Sequence, residues 1–290
     1  MFNVEPEVRM SDEEYRLIRD LIYNHCGLFF DQDSKYLLEK RLNRRLTLHR
    51  LAGFKDYYYF LKYNRSKDQE LSDIMDVLTT NETYFFREAF QLKAFTDEIV
   101  PAVLADKEKK GERSLRIWSA GCSSGEEPYT IAMLLLELGK LDGWRVEIIG
   151  TDISQRVLQL ARKAVYGKSS FRTTDEAYLK RYFVEQDGNY KVVDGVKELV
   201  TISHLNLFDS NRLALLGRMD VIFCRNVIIY FDQVAKKRVV EAFYKSLCPG
   251  GYLLLGHSES LMNITTLFAL KHLRNDMVYQ KPAAGGGGEQ

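Results

Sequence analysis

The sequence predicts an α/β fold, a mostly parallel sheet covered by helices, preceded by a small all-helical domain. Three observations predict it. Apolar runs at 115–119, 146–151, 220–224 and 251–255 alternate with helical stretches, the rhythm of a parallel sheet. Residues 11–80 carry only helical periodicity. Between the two regimes of strand and helix, the first strand runs into the small-residue loop Gly121-Cys122-Ser123-Ser124-Gly125, which opens the amphipathic run 130–138.

Taken in order, the capping box Ser11-x-x-Glu14 starts a first helix, Tyr15, Ile18, Leu21 and Ile22 give its apolar face, and Gly27 ends it. A second helix over 34–51 sets the stripe Leu38, Leu42, Leu46 against Lys40, Arg41, Arg44 and Arg45. The like-charged pairs 40/44 and 41/45 each destabilise an isolated helix by roughly 0.2–0.5 kcal/mol, so the face reads either as a solvated surface or as a dock for an acidic partner. RNA fits the same patch. Residues 181–193 and 198–203, around the turn signal Asp187-Gly188-Asn189, read as a small β excursion; 267–272 and 277–280 read as an antiparallel hairpin closing the sheet. The division expected is a helical domain 1–80, a junction 81–90, an α/β domain 91–282 with its β insertion at 181–203, and a flexible tail 283–290.

A chain of 290 residues with 46% hydrophobic content supports one large or two ordinary cores, and a net charge of +1 argues against a general nucleic-acid or membrane coat. Cys26, Cys122, Cys224 and Cys248 are scattered, without a zinc-type pair, and read as reduced packed thiols. The histidines lack metal-ligand spacing, so no metal is expected. No leader and no span-length apolar run is visible, which points to the cytoplasm without direct membrane insertion.

The loop carries the chemistry. Its glycines allow close backbone approach, and the helix start offers unpaired N–H groups. Glu126 and Glu127 follow at once and would repel a phosphate, so the ligand is expected to be partly cationic. Asp152 ends the second strand, where an acidic residue accepts hydrogen bonds from ribose hydroxyls. A nucleoside with an ammonium, a carboxylate and no pyrophosphate satisfies both ends, and S-adenosylmethionine is such a molecule.

With these motifs in place, the chain resembles the CheR family of chemotaxis receptor methyltransferases over nearly its whole length. The motifs are 79–87 (TTNETYFFR), 118–129, Gly150-Thr151-Asp152-Ile153, Asn206-Leu207 and 223–231 (FCRNVIIYF). The resemblance implies a class I S-adenosylmethionine-dependent, Rossmann-like methyltransferase domain with a small β-subdomain. It implies methylation of chemoreceptor glutamates, with S-adenosylhomocysteine as product. It places Asn81, Thr83, Arg87, Glu126, Asp152, Asn206, Leu207, Arg225 and Asn226 around the cofactor, and Arg87 and Tyr230 beside the reacting carboxylate. It sets the basic second helix, with Lys40, Arg41, Arg44 and Arg45, against the cytoplasmic domain of the receptor. The short loop 186–189 departs from the longer, glycine-richer loop that goes with grasping a receptor's C-terminal pentapeptide tether, so tether binding is not expected.

The residue types suit that chemistry. A glutamate is already ionised at neutral pH and needs no general base, so the protein's task is alignment of the attacking oxygen in a dry site. Tyr84, Phe85, Phe86 and Phe231 are candidates for the dry wall. Bland readings stand beside these: Arg87 paired with Glu82 or Glu88, Tyr230 and Phe231 as core aromatics, Asn81 as a helix cap. Three rivals remain open. Gly121-x-Ser123-x-Gly125 with His257 formally matches a hydrolase elbow; a nucleic-acid methyltransferase is possible, although 225–228 lacks the usual prolines; so is a module that binds the cofactor without turnover.

Overall fold

The computed structural model describes residues 8–79 and 81–283, so the readings made for the first seven residues, for Thr80 and for 284–290 of the tail lie outside the described residues. Two compact units emerge: Met1–Thr80 with Tyr230–Asp232, and Asn81–Ile229 with Gln233–Gln290.

The first unit holds α1 (Asp12–Cys26), α2 (Lys35–His49), α3 (Phe54–Tyr63) and α4 (Lys67–Leu78). Both halves of the capping box form at Ser11 and Glu14, and Gly27 closes α1 in the left-handed region, satisfying orphan groups at each end. Ile18, Ile22, Leu38, Leu42, Leu46, Phe54, Tyr57, Ile74 and Met75 form its core, each at 2% exposure or less. Burial at about 1.5–3 kcal/mol per large side chain is what holds such short helices together. Leu28 bridges Phe231, and the Phe29 N–H donates to the Tyr230 carbonyl at 3.0 Å, which attaches the 230–232 stretch to this unit.

The basic face of α2 divides in a way periodicity does not reveal. Arg45 pairs with Glu70 and, at 2.7 Å, with Asp73, while Tyr57 and His49 also bond Glu70. Arg41 donates to the Leu78 carbonyl at 2.6 Å. The 41/45 repulsion is therefore compensated inside the unit, and these two residues hold α2 to α4. Lys40 and Arg44 are exposed and form no ion pair among the described residues.

In the second unit, β1 (Ser114–Ala120), β2 (Arg145–Asp152), β6 (Val200–His204), β7 (Met219–Cys224), β8 (Leu247–Leu255), β9 (Ala269–His272) and β10 (Met277–Gln280) make a sheet of order β6-β2-β1-β7-β8-β10-β9. The first five are parallel; β10 and β9 form the expected antiparallel closing hairpin. Leu115, Ile117, Trp118 and all six residues of β7 are buried, as a sheet covered on both faces requires. Trp118 keeps its indole N–H satisfied on Thr151 Oγ1 at 2.8 Å. The helices are α5 (Ala89–Ala94), α6 (Val100–Lys109), α7 (Glu126–Leu138), α8 (Gln155–Lys163), α9 (Glu176–Tyr182), α10 (Asp194–Lys197), α11 (Ser210–Leu215) and α12 (Gln233–Ser246).

The β excursion expected over 181–203 is divided. Its hairpin, β4 (Phe183–Gln186) and β5 (Asn189–Val192), joins β3 (Val165–Tyr166) in a separate three-stranded sheet. Residues 200–204 are instead the edge strand β6 of the large sheet, paired in parallel with β2 from Ile148↔Val200 to Asp152↔His204. As an edge strand β6 is only half covered, so its Val-Thr-Ile-Ser alternation looks the same as that of a surface hairpin. All four cysteines are free thiols, and burial pushes Cys26 up to about 12. Among the described residues no helix is long and apolar enough to cross a membrane.

Candidate active site

Because β2 and β7 lie on opposite sides of β1, the chain reverses its winding there, and ligands of open α/β sheets bind in the crevice outside the carboxyl ends of the strands at that point. Four expected groups lie at those ends: the glycine loop after β1, Asp152 ending β2, Asn206-Leu207 after β6, and Arg225-Asn226 after β7.

The loop leaves β1 through Gly121 at φ 84° and enters α7 through Gly125 at φ 95°, a region that L side chains rarely adopt. A Cβ at Gly121 would collide with Val227 Cγ2, and one at Gly125 would lie 2.9 Å from Ala161 Cβ. The Gly121 and Cys122 N–H groups both donate to the Thr151 carbonyl at 2.8 Å. Asp152, 8% exposed, accepts the Ser123 N–H and the Ser154 N–H at 2.9 Å each, so the β2 tip and the loop are held as one piece. Leu205 N–H donates to the Asp152 carbonyl at 3.0 Å, and Asn206 Oδ1 accepts the Phe208 N–H at 2.9 Å. Leu207 is half-buried beside them.

Glu126 is the most unusual group. It is 2% exposed and takes the Ser124 hydroxyl at 2.7 Å and the Ser170 hydroxyl at 3.0 Å, with no cationic partner among the described residues. Burial pushes its carboxyl above the ordinary range, against the pull of these hydrogen bonds. Glu127 is different. It accepts the Ser119 hydroxyl at 2.6 Å and pairs with Arg225 at 3.2 Å; burial raises its carboxyl and Arg225 draws it back.

Arg225, expected near the cofactor, directs its guanidinium at the protein: Glu88 at 3.1 Å, Glu127 at 3.2 Å and the Arg87 carbonyl at 2.6 Å. It thereby clamps the segment carrying Arg87 to the start of α7. Glu82 pairs with Arg172 at 2.7 Å, so both carboxylates that sequence reading offered to Arg87 are engaged elsewhere. Arg87 donates to the Glu82 carbonyl at 3.0 Å, lies over the Tyr84 ring, and forms no ion pair among the described residues. Asn81 and Thr83 are half-buried in the same segment.

Sequence reading missed the stretch 168–174. It zips to the Arg87 segment through the Phe85 N–H to the Ser170 carbonyl at 2.9 Å, the Thr173 hydroxyl to the Phe85 carbonyl at 2.8 Å, and Arg172 stacked 3.8 Å from the Tyr84 centroid. No local signal marks partners 88 residues apart. Phe85, expected as part of the dry wall, is instead fully buried against Tyr166, Phe171 and Phe183. Phe231 belongs to the first unit, as does Tyr230, which ends a short helical turn over Ile228–Tyr230.

A hydrolase reading finds no support. Ser123 Oγ is buried without a hydrogen-bond partner among the described residues, and His257 is exposed, with carboxylates no nearer than 4.0 Å, so there is no nucleophile and base pair. Among the described residues no group of acids, histidines and cysteines could hold a metal ion. S-adenosylmethionine does fit: a buried acid with no cationic partner among the described residues suits its ammonium, the Asp152 carboxylate suits ribose hydroxyls, and Asn226 Oδ1 is a buried acceptor without a partner among the described residues.

The fold is that of a class I methyltransferase. The model described as CheR methyltransferase, SAM binding domain, matches residues 81–276, and that described as CheR methyltransferase, all-alpha domain, matches residues 13–79. The chain belongs to the CheR methyltransferase family. It is 38% identical over 286 residues to Chemotaxis protein methyltransferase 2 of Vibrio cholerae serotype O1, covering 98% of each chain. It is 38% identical over 256 residues to a chemotaxis protein methyltransferase of Borreliella burgdorferi, covering 87% of this chain and 89% of the relative. Among solved structures, the N-methyltransferase NodS of Bradyrhizobium japonicum in complex with S-adenosyl-L-homocysteine shares 14% identity at a TM-score of 0.36, covering 71% of this chain and 92% of NodS.

Proposed function

We propose that this chain transfers the methyl group of S-adenosylmethionine to glutamate side chains in the cytoplasmic domain of chemoreceptors, giving glutamate 5-methyl esters and S-adenosylhomocysteine, and so serves adaptation in chemotaxis. The observation that carries the reading is Glu126, a buried acid with no cationic partner among the described residues at the strand-end crevice, in a chain of the CheR family whose relatives are named for chemotaxis.

When bound, S-adenosylmethionine supplies an electrophilic methyl group on a sulfonium. Glu126 receives the ammonium and Asp152 the ribose hydroxyls, while Asn81, Thr83, Asn206, Leu207 and Asn226 line the remainder. Arg225 acts by holding the Arg87 segment in place. Arg87, which forms no ion pair among the described residues, pairs with the acceptor glutamate, and the family resemblance assigns Tyr230 to the same group. No base is required, because the acceptor is ionised at neutral pH. Restricting that carboxylate to one orientation is the contribution to rate.

Incubation with tritiated methyl donor and chemoreceptor cytoplasmic fragments is expected to place base-labile label on glutamate. Label on nucleic acid, or none on protein, contradicts the reading. The basic face enters through Lys40 and Arg44, which are exposed and form no ion pair among the described residues, and not through Arg41 and Arg45, whose reversal would damage the first unit. The double charge reversal Lys40→Glu/Arg44→Glu is expected to lower receptor methylation about tenfold at low ionic strength and to leave cofactor affinity unchanged. Equal methylation by variant and wild type at every salt concentration removes the docking role. The two-residue turn Asp187-Gly188 joins β4 and β5, and no pentapeptide partner is proposed.

A further inference from the structure

The turn after β8 carries a carboxylate to which the roles above assign nothing. Glu259 Oε2 accepts the Asn226 N–H and the Gly256 N–H at 2.8 Å each, and Oε1 accepts the Val227 N–H at 2.9 Å and the Ile229 N–H at 3.2 Å. A carboxylate offers about four lone-pair sites, and here main-chain donors fill them all. Three donors come from the turn after β7 and one from the turn after β8, so a single side chain joins the ends of neighbouring parallel strands. The Glu259 N–H closes its own turn on the Gly256 carbonyl at 2.8 Å.

What Glu259 holds is out of the ordinary. Asn226 sits at φ 59°, a left-handed conformation that few residues besides glycine, asparagine and aspartate adopt, and its Oδ1 is buried without a partner among the described residues. Directly before it stands Arg225, whose guanidinium reaches Glu88, Glu127 and the Arg87 carbonyl. Directly after the last held residue, Ile229, stands Tyr230. Burial drives the Glu259 carboxyl toward the neutral form and the four N–H bonds oppose it.

We infer that Glu259 is a positioning residue for methyl transfer, setting the backbone of 226–229 and through it the side chains of Arg225 and Asn226. The inference rests on the function proposed above. Glu259 spends its acceptor sites on main-chain N–H groups and so acts through the backbone it holds. Glutamine has the same shape, yet it turns an NH2 group toward two N–H donors, so the turn must open. Aspartate keeps the charge and falls one methylene short.

The test compares wild type, Glu259→Gln, Glu259→Asp and Glu98→Gln. Glu98 is the control because it holds a turn in the same way, accepting the Arg274 N–H at 3.0 Å, and has no assigned role in the site. Affinity for S-adenosylhomocysteine is read by calorimetry, kcat from receptor methylation, and folding from the melting temperature. The expected result is a fall of about 10- to 100-fold in both affinity and kcat for Glu259→Gln, partial recovery in Glu259→Asp, and values within about twofold of wild type for Glu98→Gln. A Glu259→Gln protein that matches Glu98→Gln in affinity and kcat overturns the inference. Should Glu259→Gln fail to fold, Glu259→Asp decides alone, and wild-type affinity and kcat in that variant overturn it equally. Wild-type protein that neither binds the thioether nor labels receptor removes the proposed function and this inference together, whereas an active wild type with unaffected variants removes only the inference.

Discussion

Replacing Arg225 by methionine is expected to cost about 3–5 kcal/mol in urea unfolding, the usual penalty for removing one partner of a buried ion pair. The Arg225 side chain is 4% exposed, and its partners Glu88 and Glu127 are 11% and 14% exposed. Methionine fills part of the space and leaves two buried carboxylates without a cation. The deficit should depend on pH in a definite direction. Burial already raises the Glu127 carboxyl and Arg225 pulls it down, so without the arginine it rises further. A carboxyl raised in the folded state binds a proton that the unfolded chain has released, so the variant loses stability as pH climbs from the ordinary carboxylate range through the raised value. The gap to wild type should therefore be smaller at about pH 5 than at about pH 8. A gap that is the same at both would mean that Glu127 and Arg225 are not coupled.

Glu126→Gln is expected to weaken S-adenosylhomocysteine binding by about 10- to 100-fold while leaving the free protein as stable as wild type or more so. Loss of a charge-assisted hydrogen bond to the ligand ammonium is worth about 1.5–3 kcal/mol. The opposite effect on the free protein follows from burial, which raises the Glu126 carboxyl with no cation among the described residues to offset it. Its raised value means that the native state is destabilised as pH rises past the ordinary carboxylate range, and the neutral amide escapes that penalty. Ser124 and Ser170 can still donate to the amide oxygen. Calorimetry and thermal melting on the same two samples check both halves. Weaker binding together with a large fall in melting temperature would show that Glu126 holds the loop and does not serve the ligand.

What the sequence disclosed was local. Capping residues three apart, leucines four apart, and apolar runs ending in glycine each lie within one turn or strand, and Ser11, Leu38 and Gly121 take the places their spacing predicts. Asp152 was legible because it ends an apolar strand. Partnership between distant segments was not legible. Arg45 finds Glu70 across 25 residues, Ser170 finds Glu126 across 44, and Arg225 finds Glu88 across 137. In each case the sequence offers only a charge or a hydroxyl, and which side chain answers it depends on packing of whole elements. The same holds for β6, whose half-buried alternation fits a surface hairpin as well as a sheet edge, and for β3, too short at two residues to leave a pattern. Glu259 is invisible for another reason: its partners are main-chain N–H groups, which every residue but proline carries.

The central claim is that the ends of β6, β2, β1 and β7 bind S-adenosylmethionine with Glu126 on its ammonium, and a double-mutant cycle between protein and ligand tests it most directly. Wild type and Glu126→Gln are each titrated with S-adenosylhomocysteine and with its analogue lacking the amino group. The account predicts that wild type favours the amino compound by about 10- to 100-fold and that the variant binds the two within about threefold. Equal discrimination by both proteins would place the ammonium elsewhere and contradict the account.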